Sequence, residues 1–224
     1  MTKIRTICID TLTAIQNETY MTEKKKIGFD KWRDFGIDIW QLITDLQQRG
    51  FHNILIIGEA GVGKSCGMRT LPTKTNIWFN ADNKNPVWTG GKEEYGTKVT
   101  PIAPYHVIPK TYQEIINHID GGLQKDMFEE QRYAILTGHI DDYRTGNGET
   151  KKRLKVLGNL ATKMQLEGRL EVVLYANVKK EGDRIDYIFE TQNDGFNTAR
   201  SPMGLFEPII PNDYNFIIDK LLNY

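Results

Sequence analysis

An apolar run, Phe51 to Ile57, leads directly into Gly58-Glu59-Ala60-Gly61-Val62-Gly63-Lys64-Ser65. The octapeptide matches G-x-x-x-x-G-K-[ST] at every fixed position. The run reads as a buried strand, and Ser65 to Leu71 as a short helix stopped by Pro72. A strand, glycine-rich turn and helix in that order commit the chain to an α/β architecture.

The rest of the chain is patterned to match. Ile4 to Ile9 is a β-branched run closing on Asp10, Asn76 to Asn80 a third strand and Tyr133 to Ile140 a fourth. Asp30 to Arg49 places Trp32, Phe35, Ile39, Leu42, Ile43 and Leu46 at three- and four-residue spacings before Gly50, which predicts a helix. Tyr112 to Ile119 and Tyr214 to Leu222 read as helices, and Lys151 to Leu166 as a basic amphipathic one. Lys24-Lys25-Lys26 reads as an exposed connection. Residues 83–109, rich in proline and glycine, read as irregular with an extended piece at His106 to Ile108. Leu170 to Val178 and Arg184 to Thr191 form a C-terminal hairpin turning at Glu181-Gly182-Asp183. The expected fold is one mostly parallel sheet flanked by helices. With 224 residues we expect a single domain: 1–50 an opening strand and helix, 51–168 the core, 169–224 the hairpin and tail.

The octapeptide carries the chemistry. Its glycines let the loop curl so that backbone N–H groups face a triphosphate. Residues Gly58 to Ser65 and the following Cys66 are therefore the expected nucleotide contacts. Lys64 is expected at the β- and γ-phosphates and Ser65 at a bridging Mg²⁺. A carboxylate is needed to hold the metal from its other side. The segment Tyr133 to Asp142 is a poor source, because Thr137 and Gly138 stand where the acid belongs; Asp141 is the alternative there. Arg5-Thr6-Ile7-Cys8-Ile9-Asp10-Thr11 fits better, an apolar strand ending on Asp10. This is the layout of a Walker B strand placed before the Walker A loop, so a circularly permuted strand order is expected. Asp82, after the third strand, is the candidate to orient the attacking water, with Glu59 as the alternative. Thr137 and His139 are candidate sensors of the γ-phosphate.

Composition narrows the rest. Lys plus Arg and Asp plus Glu are 29 each, which excludes a basic coat for indiscriminate nucleic-acid binding but not a local patch. Two cysteines, Cys8 and Cys66, argue against a disulfide framework or zinc site. No apolar run approaches the ~20 residues that span a bilayer. MTKIRTICID lacks a signal-peptide layout, so no membrane partner and a cytoplasmic location are expected.

Gly58 to Ser65, Asp10, Asp82 and Thr137-Gly138-His139-Ile140-Asp141-Asp142 together resemble RecA-like phage ATPases of the AAA type. The C-terminal half carries more of the likeness. It includes Tyr187 to Gly195, then Thr198-Ala199-Arg200-Ser201-Pro202-Met203-Gly204-Leu205-Phe206 and Ile210-Pro211-Asn212-Asp213. This is similar to the tail of small phage ATP-binding proteins, some of which anneal single strands. The resemblance implies a RecA-like P-loop NTPase core and binding of ATP with Mg²⁺. It also implies action on single-stranded DNA in phage recombination or replication, and assembly into homo-oligomeric rings or filaments.

Several residues have a role on that view and an ordinary one beside it. Lys151-Lys152-Arg153-Leu154-Lys155, Lys179-Lys180 and Tyr143 are candidate DNA contacts; a solvated charged face is the alternative. Arg200 is a candidate cation for a neighbouring subunit's γ-phosphate, or a partner of a local carboxylate. Trp32, Phe35, Trp40 and Trp78 read as core, and Trp88 as a candidate to cover adenine. Two other function classes compete with slow ATP hydrolysis: an ATP-binding switch of assembly without useful hydrolysis, and a small-molecule kinase, for which no arginine-dense lid is present.

Overall fold

A computed structural model describes residues 2–22, 29–102, 104–122, 127–156 and 166–224, without the side chains of 19–22, 29–36 and 122. Its strands are β1 (Ile4–Asp10), β2 (Phe51–Ile57), β3 (Asn76–Asn80), β4 (His106–Val107), β5 (Phe128–Gly138), β6 (Ile140–Arg144), β7 (Thr150–Leu154), β8 (Val172–Glu181), β9 (Arg184–Glu190) and β10 (Ile209–Pro211). Its helices are α1 (Leu12–Thr22), α2 (Phe29–Gln48), α3 (Gly91–Tyr95), α4 (Tyr112–Gly122) and α5 (Tyr214–Leu222).

Eight strands form one sheet in the order β10-β9-β8-β2-β5-β1-β3-β4. From β8 to β4 every neighbouring pair is parallel; β9 and β10 add antiparallel pairings at one edge. The interior strands are apolar on both faces, as a sheet covered on both sides requires. Ile7, Ile9, Leu55, Ile57, Ile77, Phe79 and Leu136 meet α1, α2 and α4 on one side. Cys8, Ile54, Ile56, Trp78, Ile135 and Leu174 meet Met68, Tyr95 and α5 on the other.

The strand that comes first in the chain lies inside the sheet. β1 pairs with β5 through Ile9–Leu136 and with β3 through Asp10–Asn80. β5 also pairs with β2, through Ile57–Gly138. The carboxyl ends of β2, β5, β1 and β3 therefore share one edge, where parallel α/β sheets form ligand crevices.

Several expectations are corrected. Thr150–Leu154 is a strand, not the start of a basic helix: it pairs antiparallel with β6 from Ile140–Leu154 to Arg144–Thr150. The intervening loop turns at Gly148, whose φ is +84°. Leu154 is buried, and its N–H donates to Glu167 Oε1 at 2.7 Å. The remainder of that expected helix, residues 157–165, lies outside the described residues, as do Lys24-Lys25-Lys26 and the side chains of Trp32 and Phe35. Ser65–Thr70 is a 3₁₀ helix closed by Leu71 N–H on the Met68 carbonyl. Helix α1 was not anticipated, and α3 interrupts the segment expected to be irregular. Trp88 packs against Trp78 and Tyr95 at 5.9 Å each, in an aromatic cluster rather than as a free surface for a base. Trp78 is fully buried, and Trp40 packs against the core under the Arg169 guanidinium, 3.7 Å from its ring.

Candidate functional site

The loop from Gly58 to Ser65 leaves β2 at the shared edge. Gly61 and Gly63 adopt φ of +81° and +86°, which glycine takes without strain. A Cβ on Gly58 would stand 2.7 Å from the Ala176 carbonyl, so the loop also needs glycine where it passes β8. Lys64 folds back under the loop. Its ammonium donates to the carbonyls of Gly58 at 2.9 Å and Glu59 at 2.6 Å. It is 6 % exposed, and burial pulls its pKa down from 10.5 to about 8; Asp10 opposes that fall and Lys84 adds to it.

Asp10 joins the loop to the neighbouring strands. It is 1 % exposed. Ser65 Oγ donates to its Oδ2 at 2.7 Å, and Thr137 Oγ1 donates to its Oδ1 at 2.7 Å. The ends of β1, β2 and β5 thus meet on one carboxylate. The structure brings together Thr137 and Asp10, the expected sensor and metal-side acid. Asp141, the alternative acid, is on β6 and faces Arg153 at 3.8 Å.

Asp82 follows β3. Its Oδ1 accepts from Thr11 Oγ1 at 3.4 Å, and its Oδ2 pairs with the Lys84 ammonium at 2.7 Å. Asp82 and His139 line a cleft of about 270 Å³ with Thr11, Thr13 and Ala81. The His139 main-chain N–H donates to Thr13 Oγ1 at 3.3 Å. Burial lowers the His139 pKa and Lys64 lowers it further, against an opposing pull from Asp82. Glu59 is exposed and borders a second cleft, of about 300 Å³, with Val62, Tyr175 and Asn177. Ala60 is exposed beside it. The Cys66 N–H donates to the Gly63 carbonyl at 3.0 Å, and burial raises its thiol pKa.

Arg200 is not brought to the loop. It is exposed, its backbone bridges Val173, and its guanidinium lies 3.4 Å from the Gly168 carbonyl. Tyr143 has the Arg153 guanidinium over its ring at 4.5 Å, and Lys179 pairs with Glu181 at 2.6 Å.

Three contributors escaped the sequence reading. Lys84 reaches both acids: its ammonium is 3.4 Å from Asp10 Oδ2 as well as 2.7 Å from Asp82. Asn212 Nδ2 donates to the Gly63 carbonyl at 2.9 Å, while its Oδ1 accepts from Arg69 at 2.9 Å. The Tyr214 hydroxyl donates to the Lys64 carbonyl, and burial raises the phenol's pKa, which keeps it a donor. For Lys84 a signal existed, since a lysine two residues from the acid can fold back on it. Asn212 and Tyr214 left none, being about 150 residues away from their partners.

Among the described residues no helix is long and apolar enough to cross a membrane. Comparison with protein-family models, with curated proteins and with solved structures returns no match to this chain.

Proposed function

We propose that this chain is a Mg²⁺-dependent ATPase with a RecA-like P-loop core, in which the metal-side acid is delivered by a strand that precedes the phosphate loop. The observation that carries the reading is the 2.7 Å hydrogen bond from Ser65 Oγ to Asp10 Oδ2. It joins a loop hydroxyl to a carboxylate across the intervening strand β5. A hydroxyl and a carboxylate are hard oxygen donors, and Mg²⁺ on a triphosphate takes only one or two protein ligands. Ser65 would hold the metal and Asp10 would take up its outer face. The lack of any cluster of three or more His, Cys, Asp or Glu among the described residues does not conflict with that donor set.

The chain's own groups then divide the work. Lys64 exchanges two backbone carbonyls for phosphate oxygens, with its ammonium already inside the loop. The Gly58–Ser65 backbone cradles the phosphates. When bound, Mg²⁺ neutralises phosphate charge. Asp82 takes the proton of the attacking water, from the cleft it shares with His139. Thr137 fixes the Asp10 carboxylate.

We propose further that it acts on single-stranded DNA through the β6–β7 hairpin, which follows β5 just after Thr137 and carries Lys151 and Lys152. Assembly into rings or filaments and a cytoplasmic location follow from the resemblance alone. A switch that binds ATP without hydrolysing it is the second reading. It is favoured by the Asp82–Lys84 ion pair, which occupies the candidate base. Phosphate release by the purified chain, measured with Mg²⁺ and with or without single-stranded DNA, separates them. Turnover stimulated by DNA and lost in Asp10→Ala supports the first. Tight Mg·ATP binding without phosphate release supports the second. No Mg²⁺-dependent nucleotide binding at all removes both.

A further inference from the structure

We infer that Lys84, which pairs with both Asp10 and Asp82, is a second phosphate-binding lysine that transfers to the terminal phosphate of a triphosphate. The inference rests on the reading above and names a residue that the motif does not contain.

Its placement carries the argument. The Lys84 ammonium and the Ser65 hydroxyl share one acceptor oxygen, Asp10 Oδ2, at 3.4 and 2.7 Å. Both groups therefore meet at one carboxylate oxygen, beside the loop that would hold a nucleotide's phosphates. Its second partner, Asp82, is the group proposed to meet the attacking water. A single ammonium thus touches the acid on the metal side and the acid on the water side.

The loop is built to hold it there. Asn80, at the end of β3, is fully buried and clasps the Lys84 backbone from both sides. Its Nδ2 donates to the Lys84 carbonyl at 2.7 Å, and its Oδ1 accepts the Lys84 N–H at 3.3 Å. Asn80 Nδ2 also lies 3.0 Å from Nε2 of the buried His106. Asn83 turns the chain between Asp82 and Lys84 with φ of +48°. The side chain itself is about one-third exposed, so the ammonium can move while its backbone stays fixed.

Charge balance gives the direction of transfer. Among the described residues, Asp10 and Asp82 share the Lys84 ammonium, while Lys64 is engaged with carbonyls. With Mg²⁺ bound, Asp10 would no longer need Lys84 as its counter-charge, and the ammonium would turn to the γ-phosphate oxygens. Its departure frees Asp82 to accept a hydrogen bond from water. A nucleoside diphosphate offers no third phosphate, so with it Lys84 stays on Asp82.

The test is equilibrium binding to the full chain in Mg²⁺ of a non-hydrolysable ATP analogue and of ADP. Lys84→Met is expected to lower the preference for the triphosphate over ADP by about tenfold. Lys84→Arg, which keeps the charge, is expected to retain most of it. Should Lys84→Met fail to fold by circular dichroism, Lys84→Gln carries the same measurement. A preference within about twofold of the parent chain in the neutral variant overturns the inference, whether both affinities hold or both fall together. Failure of the parent chain to bind either nucleotide removes the underlying ATPase reading instead.

Discussion

The hydroxyl of Tyr214, at the start of α5, donates to the main-chain carbonyl of Lys64, 150 residues earlier in the chain. With Asn212 on the Gly63 carbonyl, it fixes the back of the phosphate loop to the C-terminal segment. The loop's shape is thus held by residues remote from its motif.

Tyr214→Phe removes that donor from the Lys64 carbonyl. The expected loss of stability is about 1 kcal/mol. In a thermal melt this is a fall of roughly 2–4 °C for each kcal/mol. Gly67→Ala attacks the same joint from the other side, since its Cβ would collide with the Tyr214 ring. It should destabilise too, and melting of both variants without ligand checks the pair.

Asp10→Ala deprives Ser65 and Thr137 of their acceptor and Lys84 of a counter-charge. Mg²⁺-dependent phosphate release should fall at least a few tens of fold, on the scale of ~2–4 kcal/mol for a lost transition-state contact. Asp141→Ala removes the hairpin ion pair with Arg153 and should stay near the parent rate. The reverse ranking would contradict the permuted arrangement.

Lys64 gives a pH dependence whose sign can be worked out. Its folded pKa is about 8, below the ordinary 10.5. Between those values the unfolded chain keeps a proton that the folded chain has shed, so this group makes stability rise with pH from about 8 to 10.5. Phosphate needs the charged ammonium, so nucleotide affinity should hold near pH 7 and decline above about 8. Lys64→Met should abolish both trends. Titrated binding and urea melts across this range measure them.

Gly63→Ala meets two obstacles. An L-residue at φ of +86° costs about 1–2 kcal/mol, and the new Cβ would lie 2.7 Å from the Tyr187 ring. Nucleotide affinity should fall. Adding Tyr187→Ala should recover the part due to the ring and leave the part due to the backbone, so calorimetric titration of the single and double variants separates the two.

Periodicity and loop chemistry made much of this architecture legible. The strands at Ile4, Phe51, Asn76 and Val172 announce themselves as β-branched and aromatic runs, and α5 begins where Asp213 caps it through the Phe216 N–H. The Asp10–Ser65 pairing was also readable, because each ends or follows an apolar run of fixed length. Thr150–Leu154 was misread because five residues with four polar side chains suit either period. The turn chemistry of Asn147-Gly148 was the better guide. The aromatic cluster that takes in Trp88 was hidden in a proline-rich stretch with no period to follow. Lys84 and Asn80 depend on where β3 ends beside β1, and strand adjacency is a property of the sheet rather than of any local run.

The place of β1 in the middle of the sheet has a consequence for biosynthesis. Its partners begin at Asn76 and Phe128, so the strand bearing Asp10 leaves the ribosome well before either neighbour exists. Its β-branched backbone waits for the first partner while more than sixty further residues are translated, and for the second while more than a hundred are. Nascent chains of this kind bury such a strand late, and for that interval they depend on whatever shields it from other chains.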